Sequence, residues 1–284
     1  MSDGMQRRQW LTRGALIAGL VFLYVPILSM MIFSFNNSRL VTVWDALHSP
    51  TLRWYRELIS NEQILGATWL SIQIAAIAAS VATVLGTIAG VALARFGRFR
   101  GRALLGLMTT APLVMPEVIT GLSLLLLFVT LEQAIGWPEG RGVLTITIAH
   151  ITFTMAYVTI VVQSRLAGFD TSLEEAAMDL GARPFKVFLR VTLPLIVPAV
   201  LSGWLLAFTL SWDDLVVSQF VAGPGSSTLP MVIFSKVRLG VSPDVNALAT
   251  ILVVIVAVGI ALASFWMHAR EKRRERDIRM AMNG

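Results

Sequence analysis

The sequence contains no cysteine, which excludes a disulfide framework, a thiolate metal site and a thiol nucleophile. Charge is scarce as well. Asp, Glu, Lys and Arg make up 14% of the 284 residues, where a soluble domain carries about 25%. Hydrophobic residues account for 56% and mean hydropathy is +0.73. They fall in long unbroken blocks rather than at helical spacing, the pattern expected when the solvent is lipid. No Gly-x-x-x-x-Gly-Lys-Ser/Thr phosphate loop occurs, so no nucleotide site is read. Nothing outside the apolar blocks is long enough to form a domain that captures a solute. The histidines are three and lack metal-ligand spacing, so neither a metal nor another cofactor is expected.

What is there in abundance is membrane-length apolar sequence. Six segments, at 14–35, 66–94, 104–130, 143–164, 195–217 and 246–268, are long enough to cross a hydrocarbon core of about 30 Å at about 1.5 Å per residue. The expected fold class is therefore all-α, a polytopic membrane protein of six helices. Arg7-Arg8-Gln9-Trp10-Leu11 superficially matches a twin-arginine export signal. The block from Gly14 to Phe35 is too long for a signal-peptide core, however, and no small-x-small cleavage site follows it, so it reads as a retained first span. The second segment contains Gly86 and Gly90 in a GxxxG, which permits close approach of a neighbouring helix. Pro112 and Pro116 should kink the third or break its start.

The formal net charge is +6 with a pI near 10.5, but its distribution argues for topology rather than for a nucleic-acid partner. Arg7, Arg8 and Arg13 precede the first span, and Arg95, Arg98, Arg100 and Arg102 follow the second. Arg165, Arg183, Lys186 and Arg190 lie between the fourth and fifth, and six more basic residues from Arg270 to Arg279 follow the sixth. These are 17 of the 23 basic residues, all on one side. Arg39, Arg53, Arg56, Arg141, Lys236 and Arg238 take the other. The positive-inside rule then places both termini in the cytoplasm. The chain divides into a cytoplasmic tail at 1–13, a six-helix domain at 14–268 and a basic cytoplasmic tail at 269–284. In the outer 36–65 loop, Trp54 and Tyr55 sit on a short amphipathic turn suited to the membrane interface.

The loop at 166–194 carries the most specific signal. Ser172 followed by Glu175 predicts a capping box. Gly181 fits the left-handed residue that ends a helix, and Pro184 the first turn of another. Two short helices joined at Gly181 and ending at Pro194 should result. Within them, Glu175-Ala176-Ala177, three residues, Gly181, nine residues and Val191-Thr192-Leu193-Pro194 resemble the EAA loop of binding-protein-dependent ABC importer permeases. Val191 stands where that family usually has isoleucine. The resemblance implies the type I importer (MetI-like) fold and a loop that docks on a cytoplasmic ABC ATPase dimer and passes on its closure. Glu175, Ala176, Ala177, Gly181, Leu193 and Pro194 would carry that coupling. It further implies no enzymatic activity in this chain, a second homologous permease forming a heterodimer, a periplasmic solute-binding protein, and alternating access in the inner membrane. Over nearly the whole chain the similarity narrows to the permeases of spermidine/putrescine importers. It rests on stretches at 35–44, 110–121 (Thr-Ala-Pro-Leu-Val-Met-Pro-Glu-Val-Ile-Thr-Gly), 202–215 (Ser-Gly-Trp-Leu-Leu-Ala-Phe-Thr-Leu-Ser-Trp-Asp-Asp-Leu), 223–230 and 241–248. The implied periplasmic partner is then a polyamine-binding protein.

Ionisable groups inside a membrane are costly and usually face a cavity. The candidates are Glu117, after the Pro116 break, and Asp213 with Asp214 at the end of the fifth span. All are acidic, which suits a substrate carrying two or more ammonium groups. Trp212 beside them would add a cation–π contact worth about 2 kcal/mol when desolvated. The alternative readings are a helix cap at Glu117 and a water-exposed span end at the aspartates, and a permease for another small cationic or polar solute. Two rival classes follow from other features. Gly121-Leu122-Ser123 in one span and His150 in the next invite an intramembrane serine protease with a Ser123–His150 dyad. A hydrogen-bonded packing histidine is the plainer reading of His150. Six spans with intramembrane acids also suit a secondary transporter, although no paired interrupted helices are read in the two halves.

Overall fold

A backbone in lipid has to satisfy its own hydrogen bonds, so apolar blocks of this length form helices. The structure, a computed structural model, describes residues 2–38, 43–239 and 243–283, without the side chains of 2–9, 263, 267 and 269–283. Arg39, part of the 35–44 stretch, Val241 and Ser242 lie outside the described residues, and the side chains of Arg7, Arg8 and the basic tail lie outside the described side chains. In chain order the helices are α1 (Ser2–Phe33), α2 (Arg53–Ile59), α3 (Glu62–Arg95), α4 (Arg102–Val114), α5 (Glu117–Ile135) and α6 (Val143–Ala167). Then come α7 (Ser172–Asp179), α8 (Pro184–Val187), a π-turn at Phe188–Thr192, α9 (Leu193–Trp212), α10 (Val216–Val221), α11 (Leu229–Leu239) and α12 (Pro243–Asn283). Among the described residues there is no strand. Among the described residues, six stretches are long and apolar enough to span a membrane: Trp10–Phe33, Glu62–Arg95, Glu117–Ile135, Val143–Ala167, Pro184–Trp212 and Pro243–Trp266.

Two expected spans change at their ends. The third does not run from 104, because the chain breaks at Met115–Pro116 and leaves α4 as a separate apolar helix of 13 residues. Proline cannot donate a backbone hydrogen bond, and it restrains the residue before it to extended backbone; Met115 has φ −75° and ψ 135°. The fifth is continuous from Pro184 to Trp212 and stops there, so it does not begin at 195 or reach 217. Pro194 therefore sits inside a long helix. The π-turn just before it, where the Leu193 N–H reaches back to the Phe188 carbonyl, widens the ladder next to the residue that cannot donate.

The chain divides into two compact units, Met1–Glu62 with Ser235–Gly284, and Gln63–Phe234. In the first, Trp54 is buried rather than interfacial. Its indole N–H donates to the Asn36 carbonyl at 2.6 Å, and the Tyr55 hydroxyl lies 2.6 Å from Ser34 Oγ. In the second, α6 is the hub. Ile146 and Ala149 join Ile74, Leu124, Phe128, Val217 and Val221 in one core cluster, while Val158, Val162 and Leu166 join Ala79, Ile196 and Ala207 in another. The GxxxG of α3 lies against the second cluster. A Cβ at Gly86 would stand 2.7 Å from Val158 Cβ and 2.9 Å from the Met155 carbonyl, whereas nothing lies within 4 Å of such an atom at Gly66.

Gly86→Ala should therefore destabilise the protein by about 1–3 kcal/mol through overpacking. Gly66→Ala should be neutral, or stabilising by up to about 1 kcal/mol from helix propensity. Thermal unfolding midpoints of the detergent-solubilised protein compare the two directly.

Candidate functional site

The two helix breaks meet. Pro112 and Glu117 from the α4–α5 break, Asp213, Asp214 and Leu215 from the α9–α10 break, and Phe153 and Tyr157 from α6 line one cavity of about 240 Å³. No paired interrupted helices are legible in the sequence, yet the α4–α5 and α9–α10 breaks lie side by side. The three acids selected from sequence thus come from two segments about a hundred residues apart and share one space.

They are not equivalent. Asp214 accepts hydrogen bonds from the backbone N–H groups of Ser218 (2.7 Å) and Val217 (3.2 Å), which start α10. Its Oδ2 also lies 3.2 Å from His150 Nε2. His150 is fully buried, with Nδ1 2.6 Å from Ser211 Oγ and Nε2 3.0 Å from Ser218 Oγ. With the proton on Nε2, as the carboxylate requires, Nδ1 accepts from the Ser211 hydroxyl. Asp214 is thereby committed to holding the break. Glu117 and Asp213 are exposed, and among the described residues neither side chain bonds to another residue's side chain. Pro116 occupies the cap position of α5 without a side-chain cap bond. Glu117 in the first turn still suits the positive end of the helix. Trp212 does not line the cavity; it stacks on Phe208 at 6.2 Å and 12°.

At the far end of α9 lies the 166–194 loop. Gly181 has φ +84°, and the Gly181 N–H to Met178 carbonyl bond (2.8 Å) and the Ala182 N–H to Ala177 carbonyl bond (3.1 Å) form a Schellman end to α7. Pro184 opens α8 as expected. The capping box does not form. The helix starts one residue early, after Thr171, because the Asp170 carboxylate takes the Ser172 N–H at 2.9 Å. Those bonds from Ser172 hold the Asp170 carboxyl below the usual carboxylate range. Glu175 and Ala176 face solvent, with Leu180 and Phe185 exposed beside them, while Ala177 and Leu193 are half-buried and Pro194 is exposed.

Residues 82–276 match the family model for the binding-protein-dependent transport system inner membrane component. The chain belongs to that family. This transport component is 57% identical over 269 residues to the putrescine transport system permease protein PotI of Escherichia coli, covering 95% of each chain. It is 39% identical over 270 residues to the spermidine/putrescine transport system permease protein PotC of the same species, covering 95% of this chain and 98% of that one. The fold is also that of a bacterial ABC transporter involved in the import of the acidic polysaccharide alginate. There the TM-score is 0.68 at 18% identity, over 91% of this chain and 95% of the other. The MetNI methionine ABC transporter in an inward facing form gives a TM-score of 0.58 at 17% identity, over 70% and 92%.

Within this family member the protease reading has no geometry to stand on. Ser123 is exposed on α5, while His150 is sealed in the core against Ser211, Asp214 and Ser218. Gly121 serves packing instead, since a Cβ there would stand 2.7 Å from the Phe220 ring of α10. Two participants escaped the sequence reading. The sequence offers His150 as a packing histidine or as the partner of Ser123, and its attachment to Asp214, 64 residues away, shows in neither reading. Glu174 was passed over for its neighbour Glu175, although Glu174 is the one bonded inside the protein.

His150→Leu leaves the Asp214 carboxylate short of a donor in a buried setting, and should cost about 1–3 kcal/mol. His150→Gln keeps a donor and should cost less. Ser123→Ala should change neither stability nor transport. Thermal unfolding and solute uptake, measured on all three, test the set.

Proposed function

We propose that this chain is one permease subunit of an ATP-driven importer of short polyamines, putrescine foremost, and that Glu117 and Asp213 line its substrate path. The convergence of acidic side chains from two helix breaks on one small cavity carries this reading. Ligand pockets typically measure about 300–1,000 Å³, so a cavity of about 240 Å³ suits a small linear cation. Phe153 and Tyr157 give its methylene chain apolar walls. The putrescine and spermidine permeases among the relatives support the same substrate class.

The energy comes from elsewhere. Residues 166–194 form a surface fit for docking, with α7 held in place, Glu175 outward and apolar Leu180 and Phe185 beside it. In our reading a cytoplasmic ABC ATPase dimer binds here, and its closure is passed to the spans. The excess of arginine around the loop and at the chain's ends supports a cytoplasmic side for the loop and for both termini. A second homologous permease completes the path, and a periplasmic polyamine-binding protein delivers substrate to the far side.

Glu117→Gln and Asp213→Asn each remove a charged partner for an ammonium group, worth about 1.5–3 kcal/mol. Uptake of radiolabelled putrescine by cells carrying the complete transporter should fall by roughly ten-fold or more, with membrane insertion unchanged. Spermidine as competitor ranks the two substrates, and normal uptake in both variants would sink the acidic path and return the substrate to other small cationic or polar solutes. Glu175→Ala and Gly181→Ala should hydrolyse ATP without matching uptake. A side chain at a left-handed position costs about 1–2 kcal/mol, which strains the turn that ends α7. Normal transport by both would remove the coupling role.

A further inference from the structure

The two glutamates at the start of α7 point in opposite directions. Glu175 is exposed, while the Glu174 side chain is only 14% exposed. Its Oε2 lies 3.1 Å from Arg95 Nε at the end of α3, and its Oε1 accepts a hydrogen bond from Thr192 Oγ1 at 2.7 Å in the π-turn that leads into α9. Arg95 also donates from Nη1 to the Leu166 carbonyl at the end of α6 (3.3 Å), with its guanidinium 5.8 Å from the Phe169 ring. One carboxylate therefore ties an eight-residue helix directly to two spans and, through Arg95, to a third.

An eight-residue helix cannot hold its own conformation in water and depends on its attachments. If it were attached only by its flanking turns, a push on its outer face would be absorbed by swivelling. The Arg95 contact is an ion pair without an aligned hydrogen bond, whereas Thr192 donates a hydrogen bond to the carboxylate; away from solvent, charge pairs are screened less than exposed ones. The Thr192 bond ends on the π-turn at the head of α9, a feature found often at functional sites. We propose that Glu174, with Arg95 and Thr192, is a positioning clamp that converts displacement of α7 into displacement of α3 and α9. This rests on reading 166–194 as the ATPase-coupling loop.

The test uses the complete transporter in proteoliposomes, with putrescine uptake and ATP hydrolysis measured in the same sample and retention of the ATPase measured through purification. Glu174→Ala and Arg95→Ala should each lower putrescine moved per ATP by about five-fold or more, the low end of typical coupling energies, with the ATPase retained. The exchange of Glu174→Arg with Arg95→Glu should recover part of the ratio. An unchanged ratio in both single variants overturns the clamp. So does loss of the ATPase from Glu174→Ala, which would make Glu174 a docking residue, or an exchange no better than the poorer single variant. If those variants fail to assemble, Thr192→Val decides, because it removes one hydroxyl at nearly constant shape. A lowered ratio supports the clamp, and an unchanged one overturns it. The underlying loop reading fails separately, since Glu175→Ala and Gly181→Ala would then leave both coupling and ATPase retention normal.

Discussion

A helix that stops inside an apolar bundle leaves backbone N–H and C=O groups that nothing around it can satisfy. Asp214, just past the end of α9, meets the N–H half of that demand at the start of α10. Its carboxylate takes two N–H groups of the next helix and is itself fixed by His150, which Ser211 and Ser218 hold in turn. The rest of the site depends on this. Because the break is stable, α10 can fold back onto α5 at Gly121, the neighbouring Asp213 is left free, and the start of α5 with Glu117 comes to the same cavity.

The same division of labour appears at the other end of α9. Asp213 and Asp214 are adjacent and alike in sequence, as are Glu174 and Glu175. In each pair one acid is bonded inward and holds a backbone element in place, while the other faces outward, unencumbered. Successive residues on turns and short helices diverge in direction, so a doubled acid supplies one structural and one available carboxylate at a single point of the chain. The available member can be effective only because its neighbour fixes the backbone that both share.

The class of fold was legible because lipid imposes such simple rules on sequence. Long apolar blocks, arginine asymmetry and two prolines gave six spans and a break near Pro116, and Gly181 with Pro184 gave the turn between two short helices. What the sequence concealed was long-range. The attachment of His150 to Asp214 and of Glu174 to Arg95 joins residues 64 and 79 positions apart, and no local pattern encodes such pairs. The length of the apolar block also places the end of the fifth span at 217, because Leu215, Val216 and Val217 continue its apolar run. The competing demand is local at one step, since Asp214 captures the Val217 and Ser218 N–H groups three and four residues on, and tertiary at the next, since His150 fixes that carboxylate from α6. At Ser172 a local rule failed for a local reason, as Asp170 outcompeted the box for the same N–H.

The two ends of α9 are joined by one rod. The helix from Pro184 to Trp212 has 29 residues and therefore extends about 43 Å, more than the roughly 30 Å of a hydrocarbon core, and joins the 166–194 loop to the cavity. A helix resists bending far more than a loop does, so displacement applied at the Thr192 end arrives at the Trp212 end with little loss. There the helix breaks rather than continuing, and the break carries the acids. Since α6 packs along most of this rod through Val158, Val162 and Leu166 and also supplies His150 to the break, the rod moves against a guide that touches both of its ends. Breaking the helix at the cavity, while it stays continuous from Pro184 to Trp212, would let a displacement at its Thr192 end alter side-chain geometry at the cavity without remodelling the bundle between them.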